Sequence, residues 1–233
     1  MTENHHAGAS DLLVTLSNPR SPISEAYRTL RTNLQFVSLD KPLRSLLVTS
    51  PGAQQGKSTT LANLAVAIAQ GEKEVILMDC DLRRPTLHKL FGLEDKPGLT
   101  TMMLDEGAMS DPPLQQTVVP RLNLLASGPL PPSPADLLGS RRMDNVLELL
   151  TERADIVLLD APPVVAVSDA AVLATKVDGV LLVVSAGQTK RDGVQAAKAR
   201  LEKVNANLIG AVLTNVPLDA SLERYYVRQE GEE

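Results

Sequence analysis

The sequence predicts a single α/β domain with a mostly parallel sheet and helices on both faces. Three observations point there. Apolar runs of strand length alternate with helix-like segments along most of the chain, the order that parallel strands and crossover helices produce. The runs are apolar without polar alternation, as in strands covered on both faces. A length of 233 residues suffices for one well-cored domain and is short for two.

The elements follow in order. Residues 1–20 read as a flexible N-terminal end, and residues 21–37 as a first helix. Strands are expected over residues 43–49, 74–78, 122–126, 156–159, 179–184 and 208–214. Helices between them are expected over residues 57–70, 141–153, 168–175 and 189–204. The stretch Gly128-Pro-Leu-Pro-Pro-Ser-Pro134 reads as a stiff surface connection. The domain is placed at residues 21–218, with a flexible, tyrosine-bearing tail over 219–233.

Composition narrows the function classes. Hydrophobic content of 43% and charge of 22% are ordinary for a soluble globular protein. A net charge of −5 argues against nucleic acid as the main partner. The single cysteine, Cys80, excludes an internal disulfide and agrees with a reducing cytoplasm. No apolar run reaches the roughly 20 residues that span a bilayer, and the N-terminus lacks the basic start and apolar core of a secretory signal. A soluble, cytoplasmic chain is expected, with any membrane role exerted through a partner.

The chemistry lies in three stretches. Pro51-Gly-Ala-Gln-Gln-Gly-Lys-Ser58 follows an expected strand and opens an expected helix, the context that a phosphate-cradling loop requires. Backbone N–H groups and the helix N-terminus favour an anion there. Lys57 would reach the β- and γ-phosphates and the Ser58 hydroxyl would ligate Mg²⁺. Gly52, Ala53, Gln54, Gln55, Gly56, Lys57, Ser58 and Thr59 form the expected nucleotide-binding set. Pro51 stands where the strict motif has its first glycine, which removes one N–H.

The second stretch, Ile76-Leu-Met-Asp-Cys-Asp-Leu-Arg83, ends an apolar run with Asp79 and Asp81. The third, Ile156-Val-Leu-Leu-Asp160, adds one more carboxylate at a strand end. For an isolated aspartate a helix cap is the ordinary role. Three at strand ends within one nucleotide-binding frame point instead to Mg²⁺, its waters and proton acceptance from an attacking hydroxyl. Ser58, Asp81 and Asp160 are the expected metal-side residues, and Lys57, Asp79 and Asp81 the catalytic ones, Asp79 being favoured as the base. Arg83 and Arg84 would contact phosphate or a neighbouring subunit, or be solvated. Asn215, at the end of the last strand, offers the donor and acceptor that an adenine edge demands; an Asn turn before proline is equally compatible with the spacing. The frame as a whole is that of a P-loop NTPase.

The residues resemble the bacterial tyrosine kinases (BY-kinases) of the CpsD/CapB type. The resemblance runs from about residue 21 to 217. It rests on Ser24-Glu-Ala-Tyr-Arg-Thr-Leu-Arg-Thr-Asn33, Gly56-Lys-Ser-Thr-Thr-Leu-Ala-Asn-Leu-Ala65, Met78-Asp-Cys-Asp-Leu-Arg-Arg-Pro85, Leu159-Asp-Ala-Pro-Pro163 and a tail bearing Tyr225 and Tyr226. It implies ATP and Mg²⁺ as cofactors, and transfer of the γ-phosphate to tail tyrosines of a neighbouring subunit and to tyrosines of other proteins. It also implies a membrane-bound activator that regulates export and chain length of surface polysaccharide, and hence a location at the inner face of the plasma membrane through that partner. Glu25, Arg28 and Arg31 match the family's E-x-x-R-x-x-R motif, which makes the subunit interface of a ring. These three span about 120° of one helix face, apart from the stripe of Ile23, Tyr27, Leu30, Leu34 and Val37 expected to pack on the domain.

Two departures from the family pattern stand out. The tail has two tyrosines where family tails carry more. The loop reads Ala53-Gln-Gln-Gly56 in place of the common Pro-Gly-Glu-Gly.

Two other function classes compete. A ParA/MinD-type ATPase switch shares the fold and aspartate motifs but carries a signature lysine where this chain has Gly52. A nucleotide-responsive binding module of a polysaccharide export complex would produce no phosphotyrosine.

Overall fold

A computed structural model of the chain describes residues 11–37 and 42–217. Within them the chain begins with helices α1 (Val14–Ser17) and α2 (Pro22–Val37), strand β1 (Ser45–Thr49), helix α3 (Lys57–Ala69) and strand β2 (Val75–Asp79). Three short helices follow, α4 (Leu87–Phe91), α5 (Leu99–Leu104) and α6 (Gly107–Ser110), then strands β3 (Gln115–Gln116) and β4 (Leu122–Leu125). Helices α7 (Pro134–Gly139) and α8 (Arg141–Arg153) lead to β5 (Ile156–Asp160), α9 (Asp169–Ala174), β6 (Gly179–Ser185), α10 (Arg191–Lys203) and β7 (Leu208–Thr214).

The strands form one sheet in the order β3-β4-β2-β5-β1-β6-β7. Every pairing is parallel except β3 with β4. The expected fold class is what the structure shows. Strands β1, β2, β5 and β6 are buried at every position, because both sheet faces are covered and side chains alternate between two cores. Leu47, Ile76, Met78, Val157 and Leu159 point to the face packed by α5, α8, α9 and α10. Leu46, Val48, Val75, Leu77 and Leu158 point to the face packed by α1 to α4. Each such Leu, Ile or Val side chain contributes about 1.5–3 kcal/mol on burial. β7 is an edge strand, and its partly exposed side chains alternate.

Helix α3 explains its own composition. Residues Thr60 to Ala69 are all buried, enclosed by the sheet, α1 and α2. Ala and Leu at almost every position suit a helix with no solvated face.

Four expectations change. Residues 11–20, read as part of a flexible end, pack on α3. Leu13 and Thr15 are buried, and Thr15 donates to the Asn63 carboxamide from both its N–H (3.0 Å) and its hydroxyl (2.9 Å). Asn63 in turn donates to Leu12 O at 2.9 Å. A buried carboxamide must find partners, and the N-terminal segment supplies them.

The charges of the E-x-x-R-x-x-R motif do not all project outward. Arg28 pairs with Glu25 at 2.8 Å, but Arg31 folds back to the Ala67 carbonyl at 2.8 Å. The apolar stripe is also incomplete. Tyr27, Leu30 and Leu34 pack on the core, whereas Ile23 and Val37 are 45% and 57% exposed. Finally, β3 and the short helices α1, α4, α5, α6 and α7 were not expected. The tail 219–233, with Tyr225 and Tyr226, lies outside the described residues, as do residues 1–10.

Candidate nucleotide-binding and phosphotransfer site

The three chemical stretches converge at the C-terminal ends of the central strands. β5 lies between β2 and β1, and the register sets Asp79 beside Asp160 and Val48 beside Asp160. The loop that follows β1 therefore begins next to both carboxylates. Such a crevice at strand C-termini is where open α/β sheets bind ligands.

The phosphate loop runs from Pro51 to Gly56 and enters α3 with Gly56 in the left-handed conformation (φ 81°). Glycine carries no Cβ penalty there. Gln54 is also left-handed, at φ 59°. It occupies the position of the glycine in the Pro-Gly-Glu-Gly spelling, a conformation that glycine adopts without a Cβ penalty. Among the described residues, no backbone N–H from Gly52 through Thr59 donates to a protein acceptor. A run of free N–H groups at the start of a 13-residue helix is the donor set that a polyphosphate fits.

Lys57 sits at the centre of the carboxylates. Its Nζ is 2.9 Å from Asp81 Oδ2 and 3.2 Å from Asp160 Oδ1, and Ser58 Oγ donates to Asp160 Oδ2 at 2.5 Å. Burial works against the lysine charge, but Asp160 and Asp81 outweigh it and hold the ammonium above its usual range. Asp160 is raised by its burial, against the pull of Lys57 and Ser58.

Asp79 is fully buried. Its Oδ2 accepts the Thr86 and Leu87 N–H groups at 2.9 and 3.0 Å, and its Oδ1 accepts the Asp81 N–H at 3.2 Å. These bonds tie the loop after β2 into one shape. Burial, with repulsion from Asp160, pushes the Asp79 carboxyl up to about 8, against the stabilising Leu87 and Thr86 N–H groups. Burial and the same aspartates push the Cys80 thiol far up, so Cys80 is packed in the core and is not a nucleophile.

The donor set fits Mg²⁺. Oxygen ligands predominate and one hydroxyl is included, but no group of three or more His, Cys, Asp or Glu side chains converges on one point among the described residues. Mg²⁺ suits that arrangement, since it is held by one or two protein ligands and completes its shell with water and phosphate.

Two functional positions escaped the sequence reading. Asp169 is fully buried and accepts a bidentate pair from Arg83, at 2.8 Å from Nε and 3.0 Å from Nη2. Arg83 is thus committed to α9, clamping the loop that carries Asp81, while Arg84 is exposed. The second is Thr214, the neighbour of the expected Asn215. Thr214 Oγ1 donates to Gln55 O at 3.0 Å, while Asn215, left-handed at φ 55°, donates to Ser185 Oγ at 2.8 Å. The signal for both was present but short: a polar residue beside an element end, indistinguishable in sequence from a cap.

This geometry has relatives. The model of the CobQ/CobB/MinD/ParA nucleotide-binding domain matches residues 46–232. The chain is 40% identical to tyrosine-protein kinase YwqD of Bacillus subtilis (strain 168), over 92% of this chain and 90% of that one. It belongs to the bacterial tyrosine kinases. The Escherichia coli (strain K12) tyrosine-protein kinase etk is 32% identical over 96% of this chain, which spans 31% of that longer protein. Among solved structures, the chimerical protein CapA2B2 superposes with a TM-score of 0.85 at 35% identity, covering 90% of this chain and 92% of that one. The phosphate loop, Asp79 and Asp81 at the end of β2 and Asp160 at the end of β5 therefore lie within a BY-kinase domain. Among the described residues no helix is long and apolar enough to cross a membrane.

Proposed function

We propose that this BY-kinase domain transfers the γ-phosphate of ATP to Tyr225 and Tyr226 of a neighbouring copy, and that it serves surface-polysaccharide production under a membrane-bound activator. The observation that carries the reading is the convergence of Lys57, Ser58, Asp79, Asp81 and Asp160 at the mouth of a loop whose N–H groups are free.

The free N–H groups from Gly52 to Thr59 orient the polyphosphate, and Lys57 exchanges its carboxylate partners for phosphate oxygens. Ser58, Asp81 and Asp160 hold Mg²⁺ or its waters, and the bound ion supplies charge neutralisation on the transferred phosphoryl group. Asp79 orients the incoming tyrosine hydroxyl and takes its proton. Its raised basicity suits a proton acceptor near neutral pH, and its three N–H donors fix its position. Asn215 reads the adenine edge.

Assembly in a ring brings the tail of one copy to the site of the next. The part-exposed Glu25–Arg28 pair on α2 offers a charged surface suited to that contact. Arg31 supports it from within by fastening α2 to α3. Each phosphorylated tyrosine brings about two negative charges to an acidic site, which loosens the ring.

The experiment that tests transfer in trans mixes two partners, one without the catalytic lysine and one without the tail acceptors. A Lys57→Met chain keeps its tyrosines, and a Tyr225→Phe/Tyr226→Phe chain keeps its site. Phosphotyrosine on the Lys57→Met chain after MgATP is expected. ATP hydrolysis by the double-Phe chain with no phosphotyrosine on its partner moves the assignment to an ATPase switch.

A further inference from the structure

The phosphate loop has few restraints. Ser50 Oγ donates to Gly52 O at 2.7 Å and Thr60 N–H to Gly56 O at 2.8 Å, and both bonds are local. Among the described residues, the one long-range hydrogen bond on Gly52 to Gly56 comes from Thr214 Oγ1 to Gln55 O, 3.0 Å across 159 positions of sequence. The Gln55 side chain adds no hydrogen-bonded restraint through Oε1, which is buried without a partner.

Thr214 is itself well fixed. Its backbone pairs with Ser185 of β6, and its carbonyl accepts the Ala186 N–H at 2.9 Å. The Thr214 methyl lies 3.7 Å from where a Cβ on Gly56 would be, so both arms of the side chain face the loop. The alternative acceptor for its hydroxyl, Val184 O, is farther away at 3.5 Å. The next residue is Asn215, the candidate base-reading group, held to Ser185.

We infer that Thr214 is a positioning residue for the phosphate loop. It anchors the Gln55 peptide from the strand that carries Asn215, so one short segment sets the distance between the base-reading group and the phosphate cradle. The inference rests on the nucleotide-site reading above. Removing the hydroxyl without changing side-chain volume frees the loop and weakens every ligand that uses the cradle, with or without a base. Removing Asn215 weakens only ligands that have the base.

The test uses the full chain and titration calorimetry with MgATP and with magnesium tripolyphosphate, which has no base. Thr214→Val is expected to weaken both ligands by a similar factor, about five- to tenfold, the size of one lost hydrogen bond. Thr214→Ser keeps the hydroxyl and is expected within about twofold of the natural chain. Asn215→Ala is expected to weaken ATP and spare tripolyphosphate. In turnover, Thr214→Val raises the KM for ATP while kcat changes little. Thermal unfolding confirms that each variant is folded.

Loss of ATP binding alone in Thr214→Val would overturn the proposal by making Thr214 a base contact. Equal defects in Thr214→Ser and Thr214→Val would overturn it in favour of packing. Unchanged affinities would overturn it outright. A natural chain that binds neither ligand would sink the nucleotide reading, and the inference with it.

Discussion

Lys57 and Asp81 form an ion pair of 2.9 Å, with their side chains only 12% and 6% exposed. The lysine of the phosphate loop is thereby held against the carboxylate that follows β2, and Asp160 approaches it from the end of β5 at 3.2 Å. Three elements distant in sequence meet at one ammonium group, and it is the charge balance there that ties nucleotide chemistry to stability.

Lys57→Met removes the only cation in contact with Asp81 and Asp160 among the described residues. Breaking a buried pair leaves uncompensated charge at a cost of about 3 kcal/mol. The variant is expected to lose phosphotransfer and to unfold at lower denaturant concentration in a chelating buffer. Added Mg²⁺ should recover part of that stability, read as a shift in the unfolding midpoint.

The Asp79 carboxyl gives a pH dependence with a defined sign. Its folded-state value, about 8, lies above the unfolded value of about 3.9, so the folded state binds the extra proton. The resulting stability is complete below the unfolded value and is lost as pH rises through about 8. Without nucleotide or metal, stability should fall between about pH 4 and about pH 8 and level off above that. Asp79→Asn keeps an acceptor oxygen for the Thr86 and Leu87 N–H groups but cannot ionise, and its stability profile should be flatter. Parallel profiles for the two chains would remove Asp79 from the explanation.

Gln54 holds a left-handed backbone at φ 59°, which costs a residue with a Cβ about 1–2 kcal/mol. Gln54→Gly relieves that strain and gives back part of the gain through a more flexible unfolded chain. A net stabilisation of about 0.5–1 kcal/mol is expected, measured by equilibrium denaturation.

Arg83→Ala leaves the buried Asp169 carboxylate without its bidentate partner. A loss of about 2 kcal/mol in stability is expected, discounted because the Arg83 side chain is 42% exposed. Because Arg83 clamps the loop bearing Asp81, activity should fall further than the folded fraction does. Arg83→Lys, which lacks the planar fork, should recover only part of either.

The sheet was legible because its strands are buried on both faces and so read as unbroken apolar runs. The chemistry was legible because Gly56-Lys57-Ser58 opens the helix that follows β1, and Asp79, Asp81 and Asp160 sit at strand ends. What the sequence concealed was long-range and polar. Nothing in the spacing shows that Asn63 recruits Thr15, that Arg83 reaches Asp169, or that Thr214 holds Gln55, because each partner lies dozens of positions away. Strand β3 has only two residues and no apolar pattern. Helix α2 misled for a different reason: periodicity identifies a face, but the long Arg31 side chain bends back to a carbonyl on α3.

The most direct test is intact mass after incubation with ATP and Mg²⁺, alone and with a cytoplasmic segment of a candidate membrane activator. The natural chain should gain one or two phosphates, and Lys57→Met and Tyr225→Phe/Tyr226→Phe should gain none. ATP turnover with no phosphate on any tyrosine, even with the activator segment present, would contradict the account.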